Sequence, residues 1–172
     1  MGELMKINPM NKTLFLISLS FILFSCIDNP IWDIYPPDNS YKVTISEGVW
    51  GNVWFWTGNF MPSTDNSSNG KITPVIREIY IYEATRLGSV ERDTVSYVFI
   101  KSIYSHFIAK VNSDKDGFFQ IALSVGKYSF FVKEDSLFFA NEGDGDGYLM
   151  SAEVSENKVT KRQININYNA AY

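Results

Sequence analysis

The chain is poor in the residues from which most reactive centres are built. It has one cysteine and one histidine in 172 residues. A lone Cys26 excludes an internal disulfide and any cysteine-based zinc or iron–sulfur site. His106 alone cannot supply a multi-histidine metal centre, and although it stands beside Ser105, no Gly-x-Ser-x-Gly elbow presents a nucleophile to a base. Dense Lys/Arg patches are missing too, and the net charge is -4. Such a surface does not attract phosphate backbones, so nucleic acid is not an expected partner. No apolar run reaches the roughly 20 residues of a spanning helix. These absences together set the expectation of a non-enzymatic protein with no cofactor and no metal.

What is abundant is apolar and aromatic surface: 45% of residues are hydrophobic and 16% are Phe, Trp or Tyr. That is ample for a packed core and inconsistent with disorder, and the length allows one domain or little more. The first residues read as an address. Lys6 and Lys12 precede the short apolar run from Leu14 to Phe24, small Ser25 follows, and Cys26 comes next. A run of about 11 residues fits a secretory signal peptide. Its end, Leu23-Phe24-Ser25-Cys26, resembles the lipobox of bacterial lipoproteins. The resemblance implies cleavage after Ser25, acylation of Cys26, and export to a bacterial membrane, the outer membrane being the expected one. Each buried acyl CH₂ contributes about 0.8 kcal/mol to such anchoring. Removing residues 1–25 leaves 13 basic and 18 acidic side chains.

The organisation expected from this is a signal peptide at 1–25, a tether at 26–40 and a single domain at 41–172. Pro30, Pro36 and Pro37 with several Asp and Asn residues keep the tether irregular. From Tyr41 onward the pattern is β. Tyr41 to Ile45 alternates, Gly48 to Trp56 is rich in Val, Trp and Phe, and Val75 to Glu83 alternates again after Pro74. The polar run within 58–73 reads as a long loop. Tyr97 to Val111 accommodates one long or two short strands with a bend near Ser105. Phe118 to Leu123, Tyr128 to Lys133, Tyr148 to Val154 and Val159 to Tyr168 complete the set. Asn112 to Gly117 and Asn141 to Gly147 are turn clusters. No helix-period segment intervenes, so an all-β, Greek-key antiparallel sandwich of seven to eight strands is expected.

The run Asp114, Asp116, Gly117, Phe119, Ile121, Leu123, Gly126, Tyr128, Phe130 and Val132 resembles the signature of carboxypeptidase regulatory-like domains, a branch of the transthyretin-like (prealbumin-like) sandwiches. Val49, Gly51 and Val53 match the family's opening strand, and Pro74-Val75 running into Ile79 and Ile81 matches its second. The segment from about Thr85 to Ala109 is longer than the family carries. The resemblance implies a prealbumin-like sandwich and a non-catalytic module; the family's zinc peptidase partner is absent. By alternation, Phe119, Ile121 and Leu123 share one face, and Tyr128, Phe130 and Val132 share another that can meet it.

The same alternation gives the candidate binding face. If Val49, Gly51, Val53 and Phe55 point inward, then Trp50, Trp54 and Trp56 point outward. If Ile79 and Ile81 point inward, Tyr80 and Tyr82 point outward. Five such rings make a flat surface suited to an envelope protein partner or, alternatively, to stacking against a glycan. The competing reading is that the tether, the long segment or another strand covers them. Asp144 and Asp146 lack the register of a calcium loop and read as an acidic turn; Asp114 and Asp116 read as a hairpin turn. Asp93-Thr94-Val95 and Asp135-Ser136-Leu137 look like the short O-glycan acceptor motif of some gut bacteria.

Overall fold

Twelve strands and two single 3-10 turns make up the described residues of the computed structural model, which are 35–62 and 69–172. They belong to one unit, Asp33–Tyr172. The expected signal peptide, Cys26 and most of the tether lie outside the described residues, as does the middle of the long polar loop, 63–68. The strands are β1 (Gly48–Asn59), β2 (Lys71–Pro74), β3 (Glu78–Glu83), β4 (Val90–Arg92), β5 (Phe99–Ile103), β6 (Phe107–Asn112), β7 (Phe118–Ile121), β8 (Gly126–Glu134), β9 (Leu137–Phe139), β10 (Ser151–Val154), β11 (Val159–Lys161) and β12 (Ile164–Ala171). Among the described residues no helix is long and apolar enough to cross a membrane.

The strands form two sheets packed as a sandwich, the expected all-β class, with more and shorter strands than expected. In the first sheet the long β1 is central. It runs parallel to β11 and then to β12 on one side, and antiparallel to β7 and β2 on the other. This sheet is therefore mixed rather than purely antiparallel. The second sheet has the order β4-β5-β9-β8-β3-β6, with β10 also on β8. Val159 to Tyr168 divides into β11 and β12, and two other expected strands also differ. Val75 to Glu83 breaks at residues 75–77, because the chain passes there from the first sheet (β2) to the second (β3). Tyr41 to Ile45 is not a strand but part of a strap held by side chains, starting from a 3-10 turn at Ser40–Lys42. Tyr41 to Ile45 alternates like a strand, so period alone does not reveal the strap; in the other stretch Arg77 stands at the inward parity between Val75 and Ile79, where the break falls.

The inward phases hold in β1, β3, β7 and β8. Val49, Val53, Ile79, Ile81, Phe119, Phe130 and Val132 are buried between the sheets. Strands β7 and β8 lie in different sheets, so their apolar faces meet across the core, with the Phe119 and Phe130 rings 6.3 Å apart. Each side chain of this size contributes roughly 1.5–3 kcal/mol on burial. At one end Tyr168 joins Phe55, Phe99 and Phe139 and donates to Glu134 Oε2 at 2.8 Å. Arg77 pairs with the other oxygen of the same carboxylate. Burial, reinforced by Glu134, pushes the Tyr168 hydroxyl up to about 12. Spectrophotometric titration should show late phenolate formation after the exposed tyrosines, and Tyr168→Phe should remove the part of it near pH 12.

The second sheet does not stay flat. Strands β5 and β6 are four spacings apart in its order, about 19 Å at 4.7–4.9 Å each. Only Tyr104–His106 separates them, and the chain from Ile103 to Phe107 spans at most about 14 Å. The sheet must therefore roll. The first sheet occupies its inner side, so it rolls over its outer side. Ile100 and Phe131 lie on that outer side by register, opposite Phe138 and Tyr80 respectively. Both are 0% exposed. The long segment between β3 and β6 thus builds a second, smaller apolar layer.

Candidate functional site

Trp50, Trp54 and Trp56 point outward from β1, and Tyr80 and Tyr82 point outward from β3. Their strands belong to different sheets, so the rings form two groups on opposite sides of the sandwich. The expectation of one shared face is corrected here: alternation fixes which side of its own sheet a residue occupies and says nothing of which sheet that is.

The group on the first sheet is covered by the chain's own strap. Asn39 donates from Nδ2 to Asn52 Oδ1 at 2.6 Å and to Asp116 O at 2.9 Å. Asp38 holds Lys161 at 2.7 Å, and that ammonium sits 5.0 Å over the Trp50 ring. Thr44 and Gln120 exchange two hydrogen bonds. Trp50, against Phe118, is only 8% exposed, so it belongs to no open surface. Trp54 and Trp56 are half-buried, with the Tyr35 ring 6.0 and 5.7 Å from them. Trp56 also meets Phe60 and Tyr172 and donates from Nε1 to Asn165 Oδ1. With Trp50 buried, the three tryptophans do not form one open stacking platform.

The strap ends on an aspartate loop. Asp114 Oδ1 accepts the N–H groups of Asp116 and Phe118, Gly117 takes φ +77°, and Lys42 Nζ bridges Asp114 at 2.8 Å and Asp116 at 2.6 Å. This loop links β6 of the second sheet to β7 of the first, so it is a crossover and not the expected hairpin turn. The acidic turn at Asp144 repeats it. Asp144 Oδ1 accepts from Asp146 and Tyr148, Gly147 takes φ +80°, and Lys127 reaches Asp144 at 2.6 Å and Asp146 at 3.6 Å. Asp-x-Asp-Gly-aromatic is the shared sequence. In each loop a lysine ammonium supplies the positive charge between the two carboxylates.

The charge pattern makes strap attachment dependent on pH. Burial opposes ionisation of Asp114, but Lys42 and the two backbone donors outweigh it and hold its carboxyl below the usual range. Asp116 is lowered by Lys115 and then by Lys42. Lys42 itself is raised by Asp114 and Asp116. Carboxylates with lowered values stabilise the attached state above their ordinary range, near pH 3.9, and that contribution is lost as pH falls through the lowered values. Acrylamide quenching of tryptophan fluorescence should therefore rise on acidification below about pH 4. In Lys42→Ala it should already be raised at neutral pH.

The group on the second sheet is half-buried, with an exposed ring at its edge. Tyr80 packs on Phe138 and Phe107, with centroids 5.2 and 6.1 Å apart. Tyr82 meets Phe107 at 5.5 Å and the buried Phe131 at 5.9 Å; burial also pushes its hydroxyl up. Phe107 is 45% exposed, and Ile108 and Tyr104 are exposed beside it. Lysines rim the cluster, with Lys110 Nζ 5.5 Å over Tyr80 and Lys133 Nζ 4.2 Å over Phe138. Strand β6 stands last in the sheet order and pairs with β3 alone among the described residues. Phe107 and Phe138 were absent from the expected face because they reach Tyr80 and Tyr82 from other strands of the sheet, which no local period records.

His106 is exposed, and among the described residues no three His, Cys, Asp or Glu side chains are placed to hold a metal. Thr94 and Ser136, within the two short acceptor-like triplets, are both exposed in loops. No family model, curated protein or solved structure matches the chain.

Proposed function

We propose that the chain is an exported, non-catalytic binding module of the bacterial envelope, lipid-anchored through Cys26, that captures a partner protein on the outer face of its second sheet. The observation carrying this reading is the Tyr80–Tyr82–Phe107–Phe138 cluster, which is half open while the equivalent face of the first sheet lies under the strap. Large rings with polar tips and rim lysines are the composition of contact surfaces that exclude water at their centre. The adjacent edge of β6 offers backbone groups to which a partner strand can add. Family membership is part of the same proposal. The Asp114–Phe118 loop and the meeting faces of β7 and β8 support a carboxypeptidase regulatory-like module, a kind of domain that binds or organises and does not catalyse.

The test is a photoreactive amino acid at position 107, with position 41 as an exposed control, followed by illumination of intact cells. A discrete adduct is expected at 107 and not at 41, and Tyr80→Ala should abolish it without altering the melting curve by more than about 1 kcal/mol. No adduct at 107 would refute partner capture by this face. The anchor is tested separately. Cys26→Ser should eliminate acyl-chain labelling and move the protein to the soluble envelope fraction; a labelled Cys26→Ser protein would refute it.

A further inference from the structure

We infer that the aromatic end of the first sheet, made by Tyr35, Trp56, Phe60 and Tyr172, rests on the phospholipid surface that holds the anchor. The inference rests on the acylated Cys26 of the proposed function and adds the orientation in which that anchor holds the domain. Trp54 and Trp56 point to the side opposite Tyr80 and Tyr82. Docking by this end therefore leaves the Phe107 cluster in water, where its partner can reach it.

Strands β1 and β12 run parallel and finish side by side, with Asn59 opposite Ala171. Just beyond, the Phe60 N–H donates to Ala171 O at 2.9 Å, so Phe60 and Tyr172 leave the sheet together. Their rings stack 5.9 Å apart at 21°. Trp56 packs 5.0 Å from Phe60, and the Tyr35 ring stands 5.7 Å from Trp56. The strap contributes Tyr35 here without closing the end: Tyr35, Met61 and Tyr172 are 53%, 46% and 61% exposed. Indole and phenol rings with polar tips, beside an exposed thioether, suit the boundary between hydrocarbon and water.

Reach and charge choose lipid as the occupant. Residues 27–34 alone separate Cys26 from Tyr35, and a chain of that length covers about 30 Å when fully extended. Acyl chains on Cys26 thus enter the bilayer within that distance of the Tyr35 ring. The chain itself ties the membrane, and no other surface, to this end. The charge is asymmetric in the same sense. The strands of the first sheet carry no Asp or Glu, and their charged side chains are Lys71 and Lys161; those of the second carry Glu78, Glu83, Glu91, Glu134 and Glu153. Asp38 of the strap is paired with Lys161. Lys71 is exposed opposite Thr57, next to Trp56, where an anionic headgroup attracts it.

The experiment places a nitroxide at position 61 (Met61→Cys, the Cys26 thiol being blocked by its lipid) in the full-length acylated protein. The protein is then set in vesicles of phosphatidylethanolamine and phosphatidylglycerol. Relative to nitroxides at positions 95 and 107, collision with dissolved oxygen, which concentrates in lipid, should rise, and collision with a water-soluble nickel chelate should fall. Tyr35→Ser combined with Tyr172→Ser should remove that contrast and leave the melting curve nearly unchanged, both rings being exposed. On vesicle-bound protein, a position 61 as wet as position 95, or a contrast that survives the double variant, would overturn the inference and leave anchor and partner capture standing. A position 61 dry only in intact envelopes would also overturn it, giving this end to a macromolecule. Protein that carries no acyl chain and leaves the vesicles would refute the anchor, and this inference with it.

Discussion

Gly51→Ala should prevent stable folding, or cost more than about 4 kcal/mol where a folded fraction can be measured. Gly51 lies in the middle of β1, where the chain on its parallel side passes from β11 to β12. Arg162 makes that passage and donates its N–H to Trp50 O at 2.7 Å. Its carbonyl is thereby pressed against Gly51: a Cβ there would come within 1.8 Å of Arg162 O, 2.7 Å of Arg162 C and 2.9 Å of Phe119 Cε1. The first two atoms are backbone and cannot swing aside. Accommodating even a methyl group means parting β1 from the β11–β12 side or displacing Phe119 from the core. Urea unfolding of the soluble fraction measures the loss, and a variant within about 1 kcal/mol of the parent would show that the strands are not packed this closely.

Phe131→Ala should be nearly as damaging, at about 3–5 kcal/mol for a phenylalanine removed from a close-packed site. The magnitude matters because Phe131 points away from the sandwich interior. On an ordinary outer face such a ring would be partly wet, and its truncation would cost little. Here the rolled sheet covers it, Tyr82 packs edge-on against it, and it is fully buried with Ile100. A loss that large from a total of 5–15 kcal/mol would show that the long β3–β6 segment is part of the cooperative unit. A cost below about 1 kcal/mol would show that the segment does not seal this layer.

Much of the fold was legible because a half-buried strand writes its phase into alternate residues. Val49, Val53, Ile79 and Ile81 go inside, and Trp50, Trp54, Tyr80 and Tyr82 go out, as alternation requires. Sheet membership was not legible. In Val75 to Glu83 the only mark of the passage between sheets is Arg77, a charge at the inward parity, while Val75, Ile79 and Ile81 keep one parity across it. That single gap turned two separate aromatic groups into one apparent face. The strap was hidden for a related reason: Tyr41 to Ile45 alternates like a strand, whereas what holds it is Lys42 reaching across 72 residues to Asp114. The two Asp-x-Asp-Gly-aromatic loops stand in the sequence in plain form, but the lysines that complete them come from elsewhere in the chain.

Hydroxyl-radical footprinting of the protein in intact envelopes, compared with the purified protein, bears most directly on where this molecule makes contact. Phe107 and Ile108 should oxidise readily when the protein is alone and be shielded in the envelope, while Val95 and Tyr41 react equally in both. Equal oxidation of Phe107 in the two settings, or shielding that falls on Trp54 and Trp56 instead, would contradict the assignment of the second sheet as the contact surface.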